Sequence, residues 1–232
     1  MAQVPAVGPG VLDGLAERLL AESGYRFTVA DSEADRSTAF RIRATASIEA
    51  GWASPEAFPD GMDHDEFDAA AVHVLGWDGG DAVCTGRLVF PPRPLPTEVT
   101  CGLVVQPRGQ VVDVGRMAVL RSHQTFGHGT FLVLLCRLYV EARTAGFEFA
   151  CGVMAAPTRS LVERLGLQLE QLGPDRRHHG QLRAPVRFVL ASNVRPLVDR
   201  WGGAAQGGDD HGGGPSTSVA LTPPKPNEFD SP

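Results

Sequence analysis

Cysteine is scarce. The four residues Cys84, Cys101, Cys136 and Cys151 stand far apart, and no C-x-x-C pair occurs among them. A disulfide framework is therefore not expected; reduced, mostly buried thiols in a cytoplasmic protein are. No apolar run reaches the roughly 20 residues that span a bilayer as a helix. The N-terminus lacks a basic region leading into an apolar one, so no secretory signal is expected. Positive charge is in deficit as well: 21 Lys+Arg against 27 Asp+Glu give a net charge of -6, which argues against a nucleic-acid partner.

What is present suits one large domain or two small ones, since 232 residues can bury a sizeable core. Apolar spacing predicts a helix over 11–22, ended by Gly24, and a short strand over 25–30. Asp31 or Ser32 then caps a helix over 34–50. After a loop over 51–61, strands are predicted over 71–77 and 82–90, joined by the turn Asp78-Gly79-Gly80-Asp81. The Pro-rich stretch 91–108 reads as irregular. Further on, 147–154 reads as a strand and 157–165 as a short helix ending at Gly166. Two closing strands are expected over 167–172 and 185–191, linked by a polar stretch in which His178 and His179 lie in an exposed loop. A last helical turn is expected over 193–201, and from Gly202 onward the composition predicts disorder.

The chain is organised around residues 111–146. Residues 111–120 read as a buried strand, and the nearly unbroken apolar run 130–145 as a buried helix. Between them stands Gln124-Thr125-Phe126-Gly127-His128-Gly129, with Thr130 opening the helix. A glycine-bearing turn from strand to helix gathers free backbone N–H groups at the positive end of a helix dipole. Such a turn suits a diphosphate or a phosphopantetheine arm. The plain alternative is a glycine-rich turn without a ligand.

Charged residues form a second pattern. Asp63, His64, Asp65, Glu66 and Asp68 place four acids and a histidine in six residues. A metal site is not expected there, because no second ligand cluster appears elsewhere. Arg87 lies inside a predicted strand and needs a partner if buried; the acids at 63–68 are candidates.

Gln-x-x-Gly-x-Gly after a strand and opening a helix resembles the acyl-donor loop of the GNAT acyltransferase superfamily, and the order of predicted elements is that of its fold. Within it, the chain resembles the bacterial acyl-homoserine lactone (autoinducer) synthases and the related N-acyl amino acid synthases. The resemblance rests on Arg43 (or Arg41) and Trp52, on the spacing of Asp63, Asp65 and Asp68, on Arg87-Leu88, and on Asp113-Val114-Gly115-Arg116. Asp63 and Gly115 stand where those synthases usually carry Glu and Ser.

The resemblance implies an α+β architecture, a central mixed and mostly antiparallel sheet flanked by helices. It implies an N-terminal helix over 1–24, an acyltransferase domain over 25–201 and a tail over 202–232. It also implies transfer of an acyl group from acyl-CoA or an acyl carrier protein to the amine of a small molecule. The donor is a co-substrate, and no cofactor is permanently bound. Val119, Leu120, Gln124, Phe126, Gly127, His128, Gly129 and Thr130 would cradle it, and a backbone N–H of the strand near Met117 to Leu120 would serve the tetrahedral oxyanion. Asp63 or Asp113 would take the amine proton beside Arg116. Arg43, Trp52, Asp65 and Arg87 would line the acceptor side, with Asp68 and Arg87 also pinning helix to sheet. The stretch 91–108 would wall an acyl-chain tunnel or pack as a loop. The rival readings are a ligand-binding module of the same fold without catalysis, and a short-chain N-acetyltransferase.

Overall fold

The computed structural model describes residues 9–124, 129–164, 167–178 and 181–190. Its helices are α1 (Pro9–Glu22), α2 (Glu33–Glu49), α3 (Pro96–Cys101), α4 (Gly129–Thr144) and α5 (Ala156–Arg164). Its strands are β1 (Arg26–Val29), β2 (Val72–Asp78), β3 (Asp81–Val89), β4 (Val111–Val119), β5 (Phe149–Ala155), β6 (Glu170–Gln171), β7 (Arg176–His178) and β8 (Gln181–Val189). They form one sheet in the order β1-β2-β3-β4-β5-β8-β6, with β7 paired to β8. The β4–β5 pair is parallel and the others are antiparallel. The expected mixed, mostly antiparallel sheet flanked by helices is what the chain forms.

Local chemistry sets these elements. Ser32 caps α2: its Oγ accepts the Asp35 N–H at 3.0 Å, and the Asp35 carboxylate accepts the Ser32 N–H at 3.4 Å. Gly79 takes φ 56 in the turn between β2 and β3, a conformation that costs glycine little.

Alternation along the strands divides the apolar side chains between two faces. Val74, Cys84, Leu88, Val112 and Val114 pack with Leu134 and Leu138 of α4. Leu75 on the opposite face packs with Ala39 and Ile42 of α2. Outside α4 lies α1, tied to it by the Tyr139 hydroxyl donating to Asp13 at 2.8 Å.

Three expectations need correction. The stretch 91–108 is not wholly irregular: it contains α3, whose Glu98 accepts the N–H groups of Leu95 (3.1 Å) and Val105 (2.8 Å) and so fixes both flanks of one short turn. The strand expected over 167–172 shrinks to Glu170–Gln171. The polar link after it is partly sheet, because Arg176, Arg177 and His178 pair with Arg183, Leu182 and Gln181. His178 is thus a half-buried strand residue rather than a loop residue. The turn expected over 193–201 and the tail from 202 lie outside the described residues.

Candidate active site

Three arginines and three aspartates close into a ring of alternating charge. Arg43 donates to both oxygens of Asp68 at 2.9 Å. Asp68 accepts from Arg87 at 2.7 Å, and Arg87 also reaches Asp65 at 2.6 Å. Asp65 accepts from Arg116 at 2.6 Å, and one nitrogen of Arg116 is shared between the two oxygens of Asp63 at 2.9 and 3.0 Å. The circle closes where Arg43 stands 3.8 Å from Asp63.

Each element delivers its residue for a local reason. Arg43 lies on the buried face of α2, and Arg87 stands opposite His73 on that same side of the sheet. The three acids lie in the segment before β2, whose Asp63 N–H is held by the Phe40 carbonyl of α2 at 3.1 Å. Arg116 comes from a bulge in β4. Thr85 pairs with Ala118 and Arg87 with Gly115, so Arg116 and Met117 share the single position opposite Gly86. Arg116 takes φ 50 there, a strained value for a side-chain-bearing residue, and its ion pairs offset the strain.

Burial alone would raise the Asp68 carboxyl, but the hydrogen bonds and charges of Arg43 and Arg87 outweigh it and hold it well below the usual carboxylate range. Asp65 is lowered in the same way, with Arg87 as its leading partner against burial. Asp113 stands apart. It is buried, accepts the Thr97 N–H of α3 at 2.8 Å, and lies 3.6 Å from the Cys151 sulfur. Burial pushes its carboxyl up, and the Thr97 hydrogen bond opposes that only in part. The ring therefore gathers Asp63, Asp65, Asp68, Arg43, Arg87 and Arg116, while Asp113 braces α3 against the sheet.

Beside the ring the sheet opens. Pairing between β4 and β5 is confined to Val111, Val112 and Asp113 against Phe149, Ala150 and Cys151, although β4 runs on to Val119 and β5 to Ala155. Gly152 closes the last contact: a Cβ there would meet the Val114 carbonyl oxygen at 2.6 Å. Past that point the strands leave a seam. The Leu120 N–H donates to Val83 at 3.0 Å, so it does not face the seam. Strand alternation turns the Val119 N–H and C=O the other way, toward the seam, where the Gln124 side chain donates to the Val119 carbonyl at 2.9 Å. Thr130 donates to the His123 carbonyl at 2.7 Å and meets the Tyr25 hydroxyl at 3.1 Å, drawing the two ends of the turn together. Gly129 begins α4; Phe126, Gly127 and His128 lie outside the described residues.

The acidic segment also borders a groove of about 450 Å³, lined by Glu66, Phe67, Val89, Arg93, Pro94 and Val99. Trp52 is 46% exposed, and its ring lies under the guanidinium of Arg183, 5.3 Å away. The Nε–H of Arg183 donates to the His178 carbonyl at 3.2 Å. His178 feels the charges of Arg116, Arg183, Asp65 and Asp63 and, chiefly through burial, has its pKa lowered. Neither residue carries a local signal of a site role: both reach the site through pairing of β7 with β8, which the polar composition of that stretch hides. Among the described residues no group of three or more His, Cys, Asp and Glu side chains is arranged to hold a metal ion.

No protein-family model and no curated protein matches the chain. Solved structures do. The acyl-homoserine lactone (AHL) synthase LasI is 15% identical with a TM-score of 0.63, over 75% of this chain and 95% of that one. FeeM, an N-acyl amino acid synthase from uncultured soil microbes, is 16% identical with a TM-score of 0.54, over 72% and 90%. BjaI, a CoA-dependent acyl-homoserine lactone synthase solved with SAM and isopentyl-CoA, is 18% identical with a TM-score of 0.58, over 77% and 89%. At these identities the likeness establishes the fold: the chain has the architecture of the GNAT-like acyltransferases.

Proposed function

We propose that this chain is an N-acyltransferase that moves an acyl group from acyl-CoA or an acyl carrier protein to the amine of a small molecule. The observation that carries the reading is the juxtaposition of the β4–β5 seam with the charge ring through one strand, since β4 supplies both the Val119 N–H and Arg116. A pantetheine arm laid in the seam would place its thioester beside both. The likeness to synthases that act on acyl-thioesters supports a donor of this class.

The neutral amine attacks the thioester carbonyl, a C–N bond forms, and the tetrahedral oxyanion takes a hydrogen bond from the Val119 N–H. Collapse expels the thiolate, which regains a proton; a thiol pKa of about 8.5 makes a dedicated acid dispensable. Asp63 is the acceptor for the amine proton, directly or through water. Its two oxygens share a single donor nitrogen of Arg116, whereas Asp68 takes four hydrogen bonds and Asp65 three. Asp113 is enclosed behind α3 and has no such freedom. Trp52, Asp65 and Arg43 shape the acceptor side, and the groove beside Phe67 and Val99 suits the acyl chain. Homoserine-lactone formation and N-acyl amino acid formation are both products of such a site.

Purified protein, an acyl-CoA series from two to twelve carbons and a panel of small amines test this through thiol release. Amine-dependent release rising with chain length is expected. Release only from acetyl-CoA would point to a short-chain acetyltransferase. No release from any donor, with donor binding intact by calorimetry, would leave a binding module and overturn the reading.

A further inference from the structure

The ring is electrically balanced, with Arg43, Arg87 and Arg116 facing Asp63, Asp65 and Asp68. Arg183 adds a fourth guanidinium that no described residue pairs with in a salt bridge. Its contacts among the described residues are the Nε–H to the His178 carbonyl at 3.2 Å and its face on the Trp52 ring at 5.3 Å. Neither terminal amino group hydrogen-bonds to a described residue. Directly across the β7–β8 ladder stands another cation, Arg176, and like charges in that position repel. Burial and the charge of Arg116 both push the Arg183 pKa below its ordinary value. A half-buried guanidinium anchored by Nε and stacked on an indole is a pre-organised fork whose two outer nitrogens match the oxygens of a carboxylate or phosphate.

We propose that Arg183, held flat on Trp52, is an anion receptor of the acceptor pocket and selects an acceptor that carries a carboxylate or phosphate beside its amine. The proposal rests on the acyltransferase reading for the word acceptor, and on geometry for the receptor. Trp52 follows α2, and the ring lies on the α2 side of the sheet, whereas the expected diphosphate cradle opens α4 on the opposite face. A bound anion would sit between Arg183 and Arg116 and relieve the repulsion between them.

The test compares wild type with Arg183→Gln and with Arg176→Gln, which lacks the indole contact. Leucine, phenylalanine and serine are each offered as free acid and as amide, and phosphoethanolamine against ethanolamine, with octanoyl-CoA as donor. Wild type and Arg176→Gln should favour the anionic member of at least one pair. Arg183→Gln should lose roughly tenfold to hundredfold of that preference, the range for hydrogen bonds to a charged group. The two kinds of pair separate carboxylate from phosphate. A second readout needs no turnover: melting temperature in sodium sulfate against sodium chloride at matched ionic strength. Sulfate stabilises proteins in general by exclusion from their surface, so the readout is the excess: the rise should be larger in wild type and Arg176→Gln than in Arg183→Gln. If no amine is acylated, the acyltransferase reading falls while the sulfate arm still decides on the receptor. Equal use of acids and amides by wild type, an unchanged preference in folded Arg183→Gln, an equal loss in Arg176→Gln, or weakened octanoyl-CoA binding in Arg183→Gln alone would each overturn the proposal.

Discussion

Arg43 and Asp68 meet in a two-pronged pair, with both N–O distances 2.9 Å and both side chains almost wholly enclosed. Asp68 also accepts the Asp65 N–H at 2.7 Å and an Arg87 nitrogen at 2.7 Å. It therefore joins α2, the acidic segment and β3 at one carboxylate. Replacing it with Asn leaves two buried guanidinium groups short of a counter-charge. Breaking a buried pair from one side costs about 3–5 kcal/mol. Asp68→Asn should unfold at markedly lower urea, while turnover per folded molecule stays near wild type. Wild-type stability in this variant would show that the ring is not what joins these elements.

The same groups set how stability responds to acid. His73 and His178 have pKa values lowered from 6.5, chiefly by burial. A depressed value means the unfolded chain binds the proton first, so their stabilisation is present above pH 6.5 and is lost as pH falls through the folded-state values. Asp65 and Asp68 are lowered from 3.8, and their contribution is full above that value and lost below it. Melting temperature should decline in two stages, one beginning below about 6.5 and a steeper one below about 4. In Asp68→Asn the second stage should flatten; a single acid transition unaffected by this substitution would contradict the assignment.

Gly152 makes a steric prediction. A methyl group there would lie 2.6 Å from the Val114 carbonyl, a backbone atom that cannot swing aside. Gly152→Ala should push β5 from β4 just where the seam begins. Lower stability, together with a changed apparent KM for the acyl donor, is expected. An alanine variant with wild-type stability and donor kinetics would show that the strands meet less closely there.

Much of this was legible before the fold was known. The D-G-G-D turn, Ser32 as a cap and the long apolar run of α4 are local signals, and each stands where its residues put it. The ring residues were legible one by one, because an arginine inside a strand and three acids in one loop call for each other. Their closure into a circle was not, since it depends on the bulge that brings Arg116 round to Asp63. α3 was within reach: Pro96 at the first position and Glu98 two later are helix-start chemistry, but six residues are too few for apolar periodicity. β7 had no local sign, because its pairing partner, β8, supplies the order.

The donor loop carries a prediction from sequence. Gly129 opens α4 and Gly127 precedes it in the glycine-bearing turn. A bulky residue at either should block close approach of the donor phosphates to backbone N–H groups. Apparent KM for acyl-CoA should rise with the fold kept. Unchanged donor affinity by calorimetry in folded Gly127→Val and Gly129→Val would remove the loop from the donor site.

The two carboxylates expected as proton acceptors should now separate. Asp63 accepts hydrogen bonds from one arginine nitrogen alone, and Asn in its place keeps size while losing basicity. Its loss should fall on kcat by roughly 10²–10⁴-fold, the range for a general base, with donor affinity unmoved. Asp113 is different. Its charge is disfavoured by burial, and its oxygen serves the Thr97 N–H, a role an Asn carbonyl oxygen also fills. A raised acid pKa costs stability once the pH exceeds it, so Asp113→Asn should melt at or above the wild-type temperature at pH 8 and keep most of its turnover. Melting temperature and kcat measured together on both variants settle the pair. If Asp63→Asn folds and turns over like wild type while Asp113→Asn is folded and inactive, the base is Asp113, and α3 must move to admit the amine. If both fold and both retain full turnover, no carboxylate of this site takes the proton.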